Sequence, residues 1–547
     1  MDSIQEEGQK HETTPLNATF ARENASSALG TGQCRRPSIL SMRQTNSEAC
    51  NCHPIVQMQT IPIDPVDEKE IPITTGTASI LDTVMNIVKT CMGTGILALP
   101  YAANQVGCWI HWFGLIGIAL WCTVCVERLL SCLEWIKILV LLKTRIKEKH
   151  RVLGSSVDNE VAVPPNDCSG IGEVAFYAFG PKGLEILNYT FALLLFMIIV
   201  AYLAAVNGFL DDTFLTTQHK WSDLVVPSIV IGLLSNVPDM AFLAKFSALG
   251  IAMIVLVFGV ILIEGIMVDD HNDSLISLQQ WPRNGLASIG QWYGCTIFGF
   301  GLVPLTYNLR VSMKEPQKML FATGLGVSGT AAAYIVLSTI ALLLFPTIQG
   351  DLLQVLPKPP TRKTGDTIDE YGNDNFFVMM RVIIPTLVRL AMVVVAMTSA
   401  PLLVLPCGEL IEDELSFYHH ERVRVVVRIG ICVLAAVVTC ILPGFVYVLS
   451  FVGSCWCVLS FIAPPLFHLS LLWQVQSLQR QQHIQPQEEV KALVITFTHA
   501  TIPTDMPKVS QTSILWDIIL LVWGLLATLV SSFYTFSSLV NPSSTES

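Results

Sequence analysis

Charge is what this chain has least of. Only 14% of its 547 residues are Asp, Glu, Lys or Arg, against about 25% in an average soluble protein, so it cannot coat the three or four soluble domains that length alone suggests. The net charge is −11 and the basic residues form no stripe able to track a phosphate backbone, which argues against a nucleic-acid partner. Cysteine, at 15 residues, is too sparse for a disulfide scaffold. Most of these thiols sit within apolar segments, where they behave as small hydrophobes. Cys122 and Cys125 have metal-like spacing, but no second pair completes a ligand set, so no metal site is expected. Enzyme signatures are missing as well. No metalloprotease helix motif, Walker phosphate loop or nucleophile elbow occurs. Gly324-Leu325-Gly326-Val327-Ser328-Gly329 has the form of a dinucleotide fingerprint, yet no strand precedes it and it opens an apolar span, where small residues serve helix packing.

What the chain has instead is apolar length. Apolar residues make up 52% and mean hydropathy is +0.55. From Ile80 onward, apolar runs of about 20 residues recur, each long enough to cross a hydrocarbon core of about 30 Å. They predict an all-α polytopic membrane protein with about eleven transmembrane helices, over 80–103, 110–132, 184–209, 223–237, 243–267, 286–309, 321–345, 377–406, 424–442, 445–472 and 513–539. The boundary between the fourth and fifth is the least marked. Residues 1–77 are polar, without an apolar run, and predict a disordered tail. They lack the basic start, apolar centre and cleavage site of a secretory signal, so the first span is expected to act as the targeting signal. Residues 78–540 form the transmembrane domain and 541–547 a short terminal tail.

Basic residues near span ends stay on the cytosolic side. Seventeen Lys and Arg fall in the even-numbered loops and five in the odd-numbered ones. This predicts a cytosolic N-terminus and a lumenal or extracellular C-terminus. Asn272-Asp273-Ser274 then falls outside and is a glycan acceptor candidate. The long segment 346–376 lies on the same side and is expected to cap that face.

Two spans carry unusual interruptions. In the first, Gly93-Thr94-Gly95 precedes Pro100. Glycine costs about 1 kcal/mol relative to alanine inside a helix, and proline removes a donor, so local unwinding here is one reading. Close helix approach through small residues is the other. The sixth span repeats the pattern with Gly299-Phe300-Gly301 and Pro304. Matching interruptions in two five-helix halves point to a transporter's binding site. Helix-terminal amides there would face an anion and terminal carbonyls a cation, which suits a zwitterion. Phe298 and Phe300 either wall such a pocket or pack. Lys89 lies about 14 Å into its span, near the midplane, where an unpaired ammonium costs at least about 2.5 kcal/mol. It must therefore face a cavity, bind carbonyls or a partner, or lose its proton. Arg389 falls under the same argument. Thr398 and Ser399, just before Pro401, either supply oxygens to a cation or bond their own helix.

At these residues the chain resembles the amino acid/auxin permease family, which includes proton-coupled and vacuolar amino acid transporters. The resemblance covers nearly all of 78–540. It rests on Gly93-Thr94-Gly95-Ile96-Leu97-Ala98-Leu99-Pro100-Tyr101-Ala102 and Pro401-Leu402-Leu403-Val404-Leu405-Pro406-Cys407-Gly408-Glu409-Leu410-Ile411-Glu412, supported by Met313-Lys314-Glu315-Pro316 and Ile171-Gly172-Glu173-Val174-Ala175. It implies inverted five-helix repeats in a leucine-transporter-like fold with broken helices 1 and 6. Thr90, Cys91, Met92, Gly93, Thr94 and Gly95 would contact the substrate's backbone groups, opposite Phe298, Gly299, Phe300 and Gly301. Asn86 and Lys89, with Thr398 and Ser399, become ion-coupling candidates, the ion being a proton or alternatively Na⁺, and no cofactor is implied. The implied function is secondary transport of small neutral amino acids by alternating access, in a vacuolar, lysosomal or plasma membrane. An amino acid sensor signalling through its polar tail is the alternative.

Overall fold

The structure is a computed structural model. It describes residues 76–152, 170–211, 219–236, 240–267, 280–345, 350–357, 375–414, 421–442, 444–484 and 510–540, with the single positions 164, 213, 216 and 348. All of these lie in the unit Ile71–Ser547. Asn272, residues 1–75 and 541–547, and residues 358–374 of the long connection between the seventh and eighth spans fall outside the described residues.

Among the described residues the chain is a bundle of helices in eleven successive segments. They are α1a (Ile80–Cys91) and α1b (Leu99–Val106), α2 (Cys108–Val152), α3 (Ile171–Asp211), α4 (Lys220–Leu234), α5 (Met240–Met267), α6a (Leu286–Gly299) and α6b (Thr306–Ser312), α7 (Met319–Leu344), α8a (Asn375–Ser399) and α8b (Pro401–Glu414), α9 (Glu421–Ile441), α10a (Phe445–Cys457) and α10b (Ala463–Ile484), and α11 (Gln511–Val540). Eight are long and apolar enough to cross a membrane, and α1a with α1b makes a ninth span bent by 55°. The remaining two are α4, of 15 residues and so about 22 Å long, and α5, whose apolar part is Ala252–Met267. The break between α4 and α5 lies after Ser235 and Asn236, whose side chains bond back to the Gly232 carbonyl at 2.7 Å each and close the helix end.

Local chemistry fixes the ends. Ser79 and Asp82 form a reciprocal cap that starts α1a, with Ser79 N–H donating to Asp82 at 2.9 Å. Such a pair satisfies two orphan donors and places a carboxylate at the positive end of the helix. Gly107, at φ 84°, turns the chain from α1b into α2, and a Cβ there would stand 2.4 Å from the Gln280 carbonyl carbon. Gly180, at φ 76° and followed by Pro181, kinks α3.

Packing follows membrane rules, in which small residues allow close approach and polar groups face inward. Gly294 of α6a and Gly453 of α10a sit back to back. A Cβ on the first would lie 1.9 Å from the Ser450 carbonyl oxygen and on the second 1.9 Å from that of Gly294. Gly326, in the first third of α7, admits Ile87 of α1a, whose Cγ2 would be 2.8 Å from an added Cβ, whereas a Cβ on Gly324 or Gly329 would meet nothing within 4 Å, so within the run 324–329 the helix packing falls to Gly326. On α11, Asp517, Gly524, Thr528, Ser531, Thr535 and Ser538 are buried on one face. Trp523, Leu529 and Phe533 are exposed on the others, as lipid contact requires. Arg389 is 1% exposed and donates to the carbonyls of Leu353, Leu356 and Pro357 at 3.2, 2.8 and 3.0 Å. Of the ways open to a charge in this span, it takes the carbonyl one, holding the short turn Leu352–Val355.

Candidate functional site

Both interruptions foreseen in the sequence are breaks in the backbone. α1a ends at Cys91, Gly93 is extended, and the chain passes through a tight 3₁₀ turn over Thr94–Ala98 before α1b begins. α6a ends at Gly299 and continues through a 3₁₀ turn over Val303–Leu305 into α6b. Proline at the start of each following turn or helix, Pro100 and Pro304, has no N–H to lose there.

The breaks meet at one side chain. Tyr334 of α7, fully buried, directs its hydroxyl at the Cys91 carbonyl at 2.7 Å and the Gly299 carbonyl at 3.2 Å. These are the carbonyl ends of α1a and α6a, where helix dipoles concentrate negative potential. A hydroxyl has a single proton to give, so the two carbonyls share one donor and keep spare acceptor capacity. Phe300 is wholly buried and packs edge-on against the Tyr334 ring, 5.5 Å between centroids. Phe298 is half-buried and stands against the other break, with Cδ1 2.9 Å from where a Cβ on Gly95 would lie.

Around this junction the lining is small or aromatic. A Cβ on Gly93 would meet only the Tyr202 hydroxyl of α3, at 3.7 Å, so this glycine faces open space towards α3. A Cβ on Gly301 would lie 3.1 Å from Nε1 of Trp456 on α10a. That indole nitrogen is buried and has no hydrogen-bond partner among the described residues, although a buried indole N–H usually finds one. Among the described residues no three His, Cys, Asp or Glu side chains gather as a metal site.

The remaining expected site residues spread over two regions. Cys91 is buried against α7, while Met92 is half-buried. Asn86 and Thr90 lie on the exposed face of α1a, and the Thr90 hydroxyl donates to the Asn86 carbonyl at 2.8 Å. Lys89 is half-buried in the last turn, beside the carbonyl end, where a cation is stabilised. Thr398, at the end of α8a, donates to the Val394 and Val395 carbonyls at 2.9 and 3.1 Å, and Ser399 beside it is half-buried. Tyr334, Tyr202 and Trp456 were not foreseen, because nothing local marks them. Their role comes from where distant helices cross.

A family model described as "Transmembrane amino acid transporter protein" matches residues 76–506. The chain belongs to this family. The match bears out the resemblance drawn from the motifs around Gly93 and Pro401. Relatives of this family member include the amino acid transporter AVT1H of Arabidopsis thaliana, 23% identical over 75% of this chain and 85% of that protein. The proton-coupled amino acid transporter-like protein pathetic of Drosophila melanogaster is 22% identical over 49% of this chain and 55% of that one. Among solved structures, MhsT in complex with L-phenylalanine aligns with a TM-score of 0.41 and 12% identity, covering 84% of this chain and 99% of that one. The Arabidopsis and Drosophila relatives are named as transporters, not as enzymes. The family motifs have defined places in the fold. Gly93–Ala102 crosses the first break. Pro401–Glu412 forms α8b and ends in a buried ion pair, in which Arg428 of α9 donates to Glu412 at 3.0 Å and to the Ser235 carbonyl at 2.9 Å.

Proposed function

We propose that this family member is a secondary active transporter of small neutral amino acids, working by alternating access and driven by protons. The carrying observation is the junction at Tyr334, where the broken ends of α1a and α6a share one hydroxyl. Unwound backbone at membrane depth is tolerated where it is buried or lines a cavity. Terminal carbonyls suit the ammonium of an amino acid, while the amides opening the following turns and the Trp456 N–H suit its carboxylate. Thr90 to Gly95 and Phe298 to Gly301 are the backbone-binding segments. The space left by Gly93 against Tyr202, and the ring of Phe298 against Gly95, favour a small side chain. Asn86, Lys89, Thr398 and Ser399 are the coupling candidates. The name of the Drosophila relative, proton-coupled amino acid transporter-like, supports protons as the driving ion.

The test is uptake into proteoliposomes containing the purified chain, across a panel of amino acids, under imposed proton or sodium gradients. The expected result is accumulation of small neutral amino acids driven by the proton gradient. Accumulation only with sodium would replace the ion, and no accumulation of any amino acid under either gradient would overturn the reading.

A sensor reading has one observation in its favour. The segment following the polar tail is strapped to α6b, with Ala78 N–H donating to the Ser312 carbonyl at 3.0 Å and Lys314 N–H to that of Ala78 at 2.8 Å. Deleting residues 1–70 separates the two: a transporter keeps its flux, whereas a sensor loses its downstream signal.

A further inference from the structure

α11 carries a single charged residue, Asp517, and buries it completely. Two side chains from different helices converge on its carboxylate. Arg128 of α2 places Nε 2.9 Å from Oδ1, with the N–H misaligned, so this contact is an ion pair rather than a directional hydrogen bond. Nη1 of the same guanidinium donates to Ser513 at 3.3 Å. His468 of α10b, 2% exposed, places Nδ1 2.6 Å from Oδ2. None of the three belongs to the breaks described above.

An unpaired charge at this depth is costly, and intramembrane ionisable residues typically mark ion or proton pathways. Arg128 alone neutralises Asp517, so the second partner is not needed for charge balance. What His468 adds is exchange, because histidine is the side chain whose ordinary titration falls between pH 5 and 8. With Nδ1–H donating to the carboxylate the cluster is neutral overall. A proton bound at Nε2 gives an imidazolium, a carboxylate flanked by two cations and one net positive charge. The other titratable groups nearby are the thiols of Cys125 and Cys132 on α2, close enough to feel Asp517 and Arg128. Beyond Cys125 lie Cys457 of α10a and Tyr293 of α6a, in contact at 3.2 Å. Beyond Cys132 lie Tyr307 and Arg310 of α6b and Glu173 of α3, and the Tyr177 carbonyl of α3 accepts from Gln474 of α10b.

α10b links this cluster to the breaks. A short π-helical turn over Val458–Ile462 joins it to α10a, whose Gly453 and Trp456 abut Gly294, Phe298 and Gly301. π turns recur at functional sites within helices. Twelve residues separate His468 from Trp456, about 18 Å of helix.

We propose that Arg128, Asp517 and His468 form a proton-binding site, with His468 taking up and releasing the proton on a fixed Arg128–Asp517 ion pair, and that its occupancy sets the pH dependence of transport. The second half rests on the transport reading above. The first is tested without it, by mass-spectrometric exchange of the imidazole C2 hydrogen in the wild-type full-length chain as a function of pH. The expected result is a C2 exchange rate at His468 that changes with pH as the ring gains and loses its proton; a rate that reports one protonation state throughout overturns the site. The second half is read from proteoliposome uptake by the variant His468→Gln, whose amide still donates to Asp517. With the imposed proton gradient held constant, the wild-type uptake rate is expected to differ between about pH 5.5 and 7.5, and the ratio of the two rates to collapse to about 1 in His468→Gln. A variant retaining the wild-type profile overturns the coupling. If no amino acid is taken up by either protein while His468 still titrates, the transport reading fails and the proton site stands.

Discussion

Gly93 and Gly294 sit in neighbouring broken or crossing helices and do different work. Gly93 faces open space with only the Tyr202 hydroxyl near, whereas Gly294 lies directly against the Ser450 backbone. Gly93→Val is therefore expected to fold and reach its membrane in wild-type amount while losing uptake, because the added methyls fill the space assigned to substrate. Gly294→Val forces α6a and α10a apart and is expected to lose stability of at least about 1–3 kcal/mol, read as a lower midpoint in a thermal melt of the detergent-solubilised protein. Equal abundance and equal melting of the two variants would contradict this division. Tyr334→Phe keeps the ring against Phe300 but removes the donor that bridges the two carbonyls, leaving the Cys91 carbonyl only the Gly93 N–H at 2.9 Å, at about 1–3 kcal/mol for the lost pairing. Uptake is expected to fall by about tenfold or more, since 1.4 kcal/mol is a factor of ten, with abundance retained; wild-type rates in this variant would remove the hydroxyl from the account. The glycines were legible in the sequence because their cost to a helix is local. Tyr334 was not, because it meets Cys91 across 243 positions, and a tyrosine inside an apolar run carries no mark of such a meeting. Arg128, Asp517 and His468 were missed similarly: they lie on three different helices far apart in sequence, and only the packing of those helices makes them a cluster.

At the scale of elements, hydropathy located the spans but truncated several. The expected second and third spans were 110–132 and 184–209, whereas the helices run Cys108–Val152 and Ile171–Asp211. A hydropathy pattern registers the length that crosses lipid, and a helix whose polar extension packs on its neighbours continues beyond it. The strap between Ala78 and α6b was also invisible, since paired backbone groups leave no side-chain signature. It ties the start of the first broken helix to the end of the second, so any motion that separates α1a from α6b must release it. Ala78→Pro removes the N–H given to Ser312. It is expected to shift the chain towards the state with the strap open, seen as faster labelling of a cysteine placed at Ser312, in a background without other reactive thiols. Unchanged labelling would show that the strap does not restrain the opening.

For the whole molecule, the excess of Lys and Arg in alternate loops predicts which side each loop faces, and Asn272 provides the check. In cells that glycosylate, the wild-type chain should shift in mobility after endoglycosidase treatment and Asn272→Gln should not; a shift that persists in Asn272→Gln, from the acceptors Asn17 and Asn24 of the tail, would argue for the opposite orientation. The tail, the loop bearing Asn272 and part of the long connection lie outside the described residues, so their roles rest on sequence. The helical membrane fold and its family were legible because apolar length and the two glycine-proline interruptions are written in local sequence. The contents of the junction had to await the crossing of α1a, α6a, α7 and α10a. The central claim is that these crossings hold the amino acid, and a high-resolution reconstruction of the purified protein saturated with a small neutral amino acid tests it most directly. Its ammonium and carboxylate should be seen against the backbone of Cys91–Gly95 and Phe298–Gly301, beside Tyr334 and Trp456. An amino acid bound elsewhere, with both breaks closed by packed side chains, would contradict the account.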